Sequence, residues 1–214
     1  MRPWLGTRLP SWRVIGGGLA GALLLAAIAV GLWFWSAAEQ SRVTAAYADA
    51  LSRVAEARGP QAASDARATA VRELEAVLAQ HPAGGLAPTA AWELGNLRYD
   101  TRDWPRARAA YEMARARAQS PTLRTLARAA VGYTWEAEGA YARALEVYRA
   151  ALAGLRPGEF FYEELLVDVG RMQELVGRTT EAIETYRQFL KELPKSPRAD
   201  DVKARLAHLG ARPQ

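Results

Sequence analysis

Four alanines, Ala70, Ala107, Ala144 and Ala182, lie 37, 37 and 38 residues apart, and each is followed four residues later by a large side chain: Leu74, Tyr111, Tyr148 or Tyr186. A spacing of four puts both members of a pair on one face of an α-helix. A period of this length fits a helical hairpin, in which a small residue admits a second helix and a bulky one a turn later fills the gap. Gly and Pro recur where hairpins must reverse, at Gly59-Pro60, His81-Pro82-Ala83-Gly84-Gly85, Ser120-Pro121, Gly139, Pro157-Gly158, Gly177 and Pro194. No stretch alternates apolar and polar residues as a half-buried strand would. The pattern predicts an all-α chain, with about nine helices stacked as hairpins over residues 40–210. Helices are expected near Ser64–Gln80, from Leu94-Gly95 to Tyr99, from Trp104-Pro105, from Ser120-Pro121, and from Ser196-Pro197 to Gly210.

Ahead of the repeats, the 22 residues Val14–Trp35 contain no charged residue, no amide side chain, and no Ser or Thr. As a helix this stretch would reach roughly 33 Å, enough for a hydrocarbon core of about 30 Å. Trp12 stands at one end and Trp33 and Trp35 at the other, as interfacial aromatic residues do. The expected organisation is a tail over residues 1–13, a transmembrane helix over 14–35 and a repeat domain over 36–214. With neither Gly nor Pro between Leu32 and Arg58, the helix should run on until Gly59-Pro60. Within the span Gly17 and Gly21 form one small-residue step and Gly18 and Ala22 a second, a candidate surface for packing another membrane helix.

Charge follows the same division. The chain carries 28 basic and 23 acidic residues; Arg2, Arg8 and Arg13 precede the span and residues 1–35 hold no acid, so 28 − 3 = 25 basic residues face 23 acidic ones beyond it. That near-balance gives no basic groove for nucleic acid. The arginines before the span place the N-terminus in the cytoplasm and the repeats outside. A cleaved signal peptide is the competing reading, with Ser36-Ala37-Ala38 as the cleavage site before Glu39. The apolar run exceeds an h-region of about 7–15 residues, and Trp33-Phe34-Trp35 crowd the approach to that site, so an uncleaved anchor is expected. With no cysteine, the chain has neither disulfides nor thiolate chemistry.

The segment Leu94-Gly95-Asn96-Leu97-Arg98-Tyr99, followed by Asp103-Trp104, Ala107, Tyr111 and Ala114, resembles the tetratricopeptide repeat. So do Gly132, Trp135, Gly139, Tyr141, Ala144, Tyr148 and Ala151, and again Gly170, Gly177, Ala182, Tyr186 and Pro194. The first unit is degenerate, keeping only the second-helix residues Ala70, Leu74, Val77 and Pro82, and Arg102 stands where the repeat has a turn glycine. The resemblance implies a helical-hairpin solenoid that binds proteins. In its layout the chain is similar to the bacterial ancillary subunit of the Sec translocon. That likeness implies a single-pass protein of the inner membrane, with periplasmic repeats serving translocation or envelope chaperoning. A bracing subunit of an outer-membrane assembly or envelope-coordination complex is the alternative.

Residues for catalysis are sparse. His81 and His208 are far apart, the carboxylate pairs Glu136/Glu138 and Asp200/Asp201 do not converge on a helix, and no phosphate-binding glycine loop, H-E-x-x-H or G-x-S-x-G occurs. The expectation is a non-enzyme with no cofactor, no metal and no small-molecule substrate, whose partners are proteins. In the repeats it resembles, the first helix of each pair lines a concave groove. That implies candidate peptide-binding positions at Thr89, Trp92, Asn96 and Tyr99, at Tyr133 and Glu136, and at Glu164, Arg171 and Glu174. Aromatic anchors flanked by polar groups suit an extended or helical peptide.

Overall fold

Nine helices make up most of the described residues, joined by short turns. The computed structural model describes residues 12–58 and 64–211, with side chains for 23–58 and 65–211. Among these residues there is no strand. The elements are α1 (Trp12–Ala57), α2 (Ser64–Gln80), α3 (Ala87–Asp100), α4 (Trp104–Arg117), α5 (Pro121–Ala137), α6 (Tyr141–Leu152), α7 (Tyr162–Leu175), α8 (Thr179–Glu192) and α9 (Ala199–His208). The chain divides into two compact units, residues 1–45 and 46–214.

In the first unit, every residue from Leu23 to Arg42 is exposed. Among the described side chains, nine of the eleven large exposed apolar ones lie between Leu23 and Trp35, with Leu23 at 71% and Trp33 at 63%. A helix that is apolar on all sides has no face to turn toward water. Among the described residues α1 is the one helix long and apolar enough to cross a membrane. Gly17, Gly18, Gly21 and Ala22 fall inside it, but their surroundings lie outside the described residues, as does the tail up to Ser11.

In the second unit α3–α4, α5–α6 and α7–α8 are successive hairpins, followed by α9. The first repeat keeps its motif residues only with its second helix, α2, and the helix ahead of it is the expected run-on of the apolar helix. The end of α1 takes the first-helix place: Tyr47, Ala50, Val54 and Ala57 are buried at helical spacing, and the Tyr47 hydroxyl donates to the His81 carbonyl at 2.6 Å. Two helix starts differ from expectation. Helix α3 opens at Ala87, after Leu86 and with Pro88 in its first turn, so Gly95 lies mid-helix rather than at the start. Helix α9 begins at Ala199 because Ser196 and Pro197 form the preceding turn, in which Ser196 Oγ accepts the Arg198 N–H at 3.0 Å. Ser120-Pro121 behaves as expected, with Ser120 capping α5 through the Leu123 N–H at 3.5 Å.

Gly95 is tolerated mid-helix because the space beside it is filled. A Cβ added at Gly95, Gly132 or Gly170 would lie 2.4, 2.3 or 2.4 Å from a ring carbon of Tyr111, Tyr148 or Tyr186 respectively. Each tyrosine follows its glycine by 16 residues and is almost wholly buried. This glycine–tyrosine contact closes all three hairpins. Between hairpins, the Arg108 guanidinium stacks 3.6 Å from the centre of the Trp135 ring and makes a bidentate pair with Glu138 at 2.8 and 3.2 Å.

Each first helix ends in the same turn. The N–H of Asp103, Ala140 and Arg178 returns to the carbonyl of Arg98, Trp135 and Gln173 at 2.9, 2.9 and 2.8 Å, and the residue before each has positive φ: Arg102 at 60°, Gly139 at 74° and Gly177 at 76°. Glycine takes this left-handed conformation freely, whereas a Cβ costs about 1–2 kcal/mol there. Arg102→Gly is therefore expected to stabilise the fold by about 1 kcal/mol in chemical denaturation. Unchanged or reduced stability would show that the Arg102 side chain makes up that cost.

Candidate functional site

Counting from the buried glycine of each first helix aligns the expected groove positions. One residue after it stand Asn96, Tyr133 and Arg171; four after it, Tyr99, Glu136 and Glu174; six before it, Thr89, Leu126 and Glu164. The same register reaches α9. Asp201 lies 37 residues beyond Glu164, and His208 lies 37 beyond Arg171.

Helices α5, α6 and α7 are joined by a polar network at these positions. The Arg171 guanidinium grips both carboxylate oxygens of Glu136, one at 2.9 Å, and donates to Asp168 Oδ1 at 2.6 Å. Asp168 Oδ2 accepts the Tyr133 hydroxyl at 3.2 Å, and Glu136 accepts the Tyr148 hydroxyl at 3.0 Å. Asp168 is 4% exposed, and burial raises its carboxyl above the usual range, with Arg171 the main influence opposing that rise. Hydrogen bonding to Glu136 does most to hold Arg171 in its charged form. Burial, then the neighbouring carboxylates, push the Tyr133 and Tyr148 hydroxyls far up, so both act as hydrogen-bond donors.

Beyond the network, α7 and α9 bound an open cleft of about 860 Å³. Glu164, Asp168, Arg171 and Glu174 line it from α7; Asp201, Val202, Arg205 and His208 line it from α9. Arg198, just before α9, bonds Glu164, and Arg205 donates to Glu174 Oε1 at 3.3 Å, the same oxygen that accepts the Tyr186 hydroxyl. Among the described residues no three His, Asp or Glu side chains converge as a metal site would need.

The structure thus brings Glu164, Arg171 and Glu174 together in one cleft and ties Tyr133 and Glu136 into the network beside it. The other four positions lie on α3. Thr89 is exposed, and Trp92 packs on Tyr111 with ring centres 5.3 Å apart. Tyr99 packs on Trp104 at 4.7 Å, and Asn96 Oδ1 accepts the Tyr111 hydroxyl at 2.9 Å. Sequence reasoning missed Asp168, Arg198, Asp201, Arg205 and His208. Two of these, Asp201 and His208, were recoverable by carrying the repeat period into the closing helix.

The paired helices, their glycine–tyrosine contacts and their common turn define the architecture. The repeats adopt the tetratricopeptide fold. A tetratricopeptide repeat family model matches residues 165–199, covering α7 from Leu165 on, α8 and the turn into α9. Two crystal structures of Podosopora anserina kinesin-light-chain-type, nearly identical TPR-like repeats are similar at 17% identity and a TM-score of 0.58. The similarity covers 79% of this chain and 85% or 86% of theirs. No curated protein matches the sequence. The tetratricopeptide likeness is therefore one of fold, and what the repeats hold rests on the side chains described above.

Proposed function

We propose that the chain is a membrane-anchored interaction scaffold whose tetratricopeptide-type repeats capture a peptide segment of a protein partner. The observation that carries this reading is the coexistence in one chain of the exposed apolar stretch Leu23–Trp35 and a repeat array with an open cleft. Such a stretch is stable where hydrocarbon replaces water, and tethering there raises the local concentration of the repeats around membrane-bound partners. Following the arginine asymmetry, the N-terminus is cytoplasmic and the repeats lie on the periplasmic face of the inner membrane. The function that fits this layout is ancillary to protein translocation or envelope chaperoning.

The absence of cysteine makes the topology directly testable. A single cysteine at Thr89 should react with an impermeant maleimide in intact spheroplasts, whereas one at Thr7 should react only after permeabilisation. The reverse pattern would overturn the orientation, and release of the repeats into the periplasm would show a cleaved leader. One observation favours the bracing reading: Tyr133 spends its hydroxyl on Asp168, and Arg171 spends its guanidinium on Asp168 and Glu136, stiffening the array. Under that reading, photocrosslinkers in the cleft would capture nothing while those in the span captured membrane partners.

A further inference from the structure

Within the peptide-capture reading above, on which this rests, we propose that the α7–α9 cleft takes an extended segment carrying lysine or arginine and turns away acidic segments. The reason lies in which groups are already committed. All three guanidiniums lining the cleft are held by carboxylates of the chain: Arg171 by Glu136 and Asp168, Arg198 by Glu164, and Arg205 by Glu174. The carboxylates are not equally consumed. Glu164 bonds through Oε2, leaving Oε1. Both bonds to Glu174 fall on Oε1, leaving Oε2. Asp201 is exposed, lines the cleft and makes no ion pair among the described residues, unlike its neighbour Asp200, which holds Lys203 at 2.9 Å.

An acidic segment could bind only the N–H groups that Arg198 and Arg205 have left, and would do so beside the open oxygens of Glu164, Glu174 and Asp201, in a cleft lined by four carboxylates against three guanidiniums. A basic segment adds to the free oxygens and breaks nothing. The walls suit the same ligand. Val167 and Ala204 line the cleft beside these acids, giving the aliphatic stem of a lysine or arginine an apolar surface to lie along. The basic group belongs at the Asp201 end, since His208 lies about 10 Å further along α9. Asp201 also sits in the first turn of α9, where a carboxylate favours the helix by itself. The test must separate that role from ligand binding.

Three fluorescent peptides of one extended sequence, with Lys, Gln or Glu at the same two central positions, are titrated by anisotropy against the full-length chain in detergent at low salt. The Lys peptide should bind tightest and the Glu peptide about tenfold more weakly. Asp201→Asn should weaken the Lys peptide several-fold, Asp201→Lys should reverse the order, and Asp200→Asn should change neither. A role confined to α9 would lower its melting temperature in Asp201→Asn and leave the order of affinities intact, which overturns the proposal. Equal binding of all three peptides overturns the charge preference while peptide capture stands. No binding by any of them up to about 1 mM overturns both.

Discussion

Gly132→Ala is expected to destabilise the repeats by about 2 kcal/mol, although alanine is the better helix former. Removing a mid-helix glycine contributes about 1 kcal/mol in favour of the variant. Against this, the new methyl would lie 2.3 and 2.6 Å from two ring carbons of Tyr148, far inside van der Waals contact. The ring is fully buried and its hydroxyl is fixed on Glu136, which Arg171 grips in turn, so it cannot swing aside cheaply. Overpacking of this kind costs about 3 kcal/mol at the upper end of its usual range, which leaves the net loss. Thermal unfolding in detergent should show a melting point about 4–8 °C lower. In a Tyr148→Leu background the same glycine substitution should be nearly neutral, since the offending ring atoms are gone. An equally stable Gly132→Ala protein would mean that α5 and α6 separate more readily than their packing implies.

Arg171→Met should be the more damaging change, at about 3 kcal/mol near neutral pH. Methionine restores the bulk of the arginine stem but leaves Asp168 with only the Tyr133 hydroxyl and Glu136 with only the Tyr148 hydroxyl. The loss should also depend on pH. Asp168 has its folded pKa raised by burial, so between its unfolded and folded values the native state binds more protons than the unfolded one. Stability from this group therefore falls as pH rises through that window, and grows as the carboxyl is protonated. Without Arg171 the folded pKa rises further and the window widens upward. The difference between wild type and variant should shrink in denaturant titrations as the pH is lowered toward about 5. A difference that is constant with pH, or below about 0.5 kcal/mol, would show that water takes over the role of the guanidinium.

The two predictions fall on opposite sides of what a linear reading can reach. The all-α class, the hairpin period, the turn glycines and the long apolar helix were legible because each depends on residues near one another in the chain. Spacings of three and four select a helix, Gly and Pro stop it, and an uninterrupted apolar run declares its solvent. The start of α3 was misjudged because Gly95 reads as a helix breaker until Tyr111, 16 residues on, fills the space beside it. The first helix of the first repeat was legible as the run-on of the apolar helix toward Gly59-Pro60, and the burial of Tyr47, Ala50 and Val54 marks where along it the repeats begin.

For the candidate site, the sequence by itself determined the repeat period, and the resemblance to the tetratricopeptide repeat proposed from it the groove positions, including Glu164, Arg171 and Glu174. It could not say which of their charges remain available to a partner. That depends on contacts such as Arg171 to Glu136 and Arg198 to Glu164, each joining residues more than thirty apart, and a guanidinium already gripped by two carboxylates offers a ligand little. The tertiary structure alone turned a set of repeat positions into a cleft whose arginines are committed and whose Asp201 is not, because pairing is decided by distance in space and not by distance along the chain.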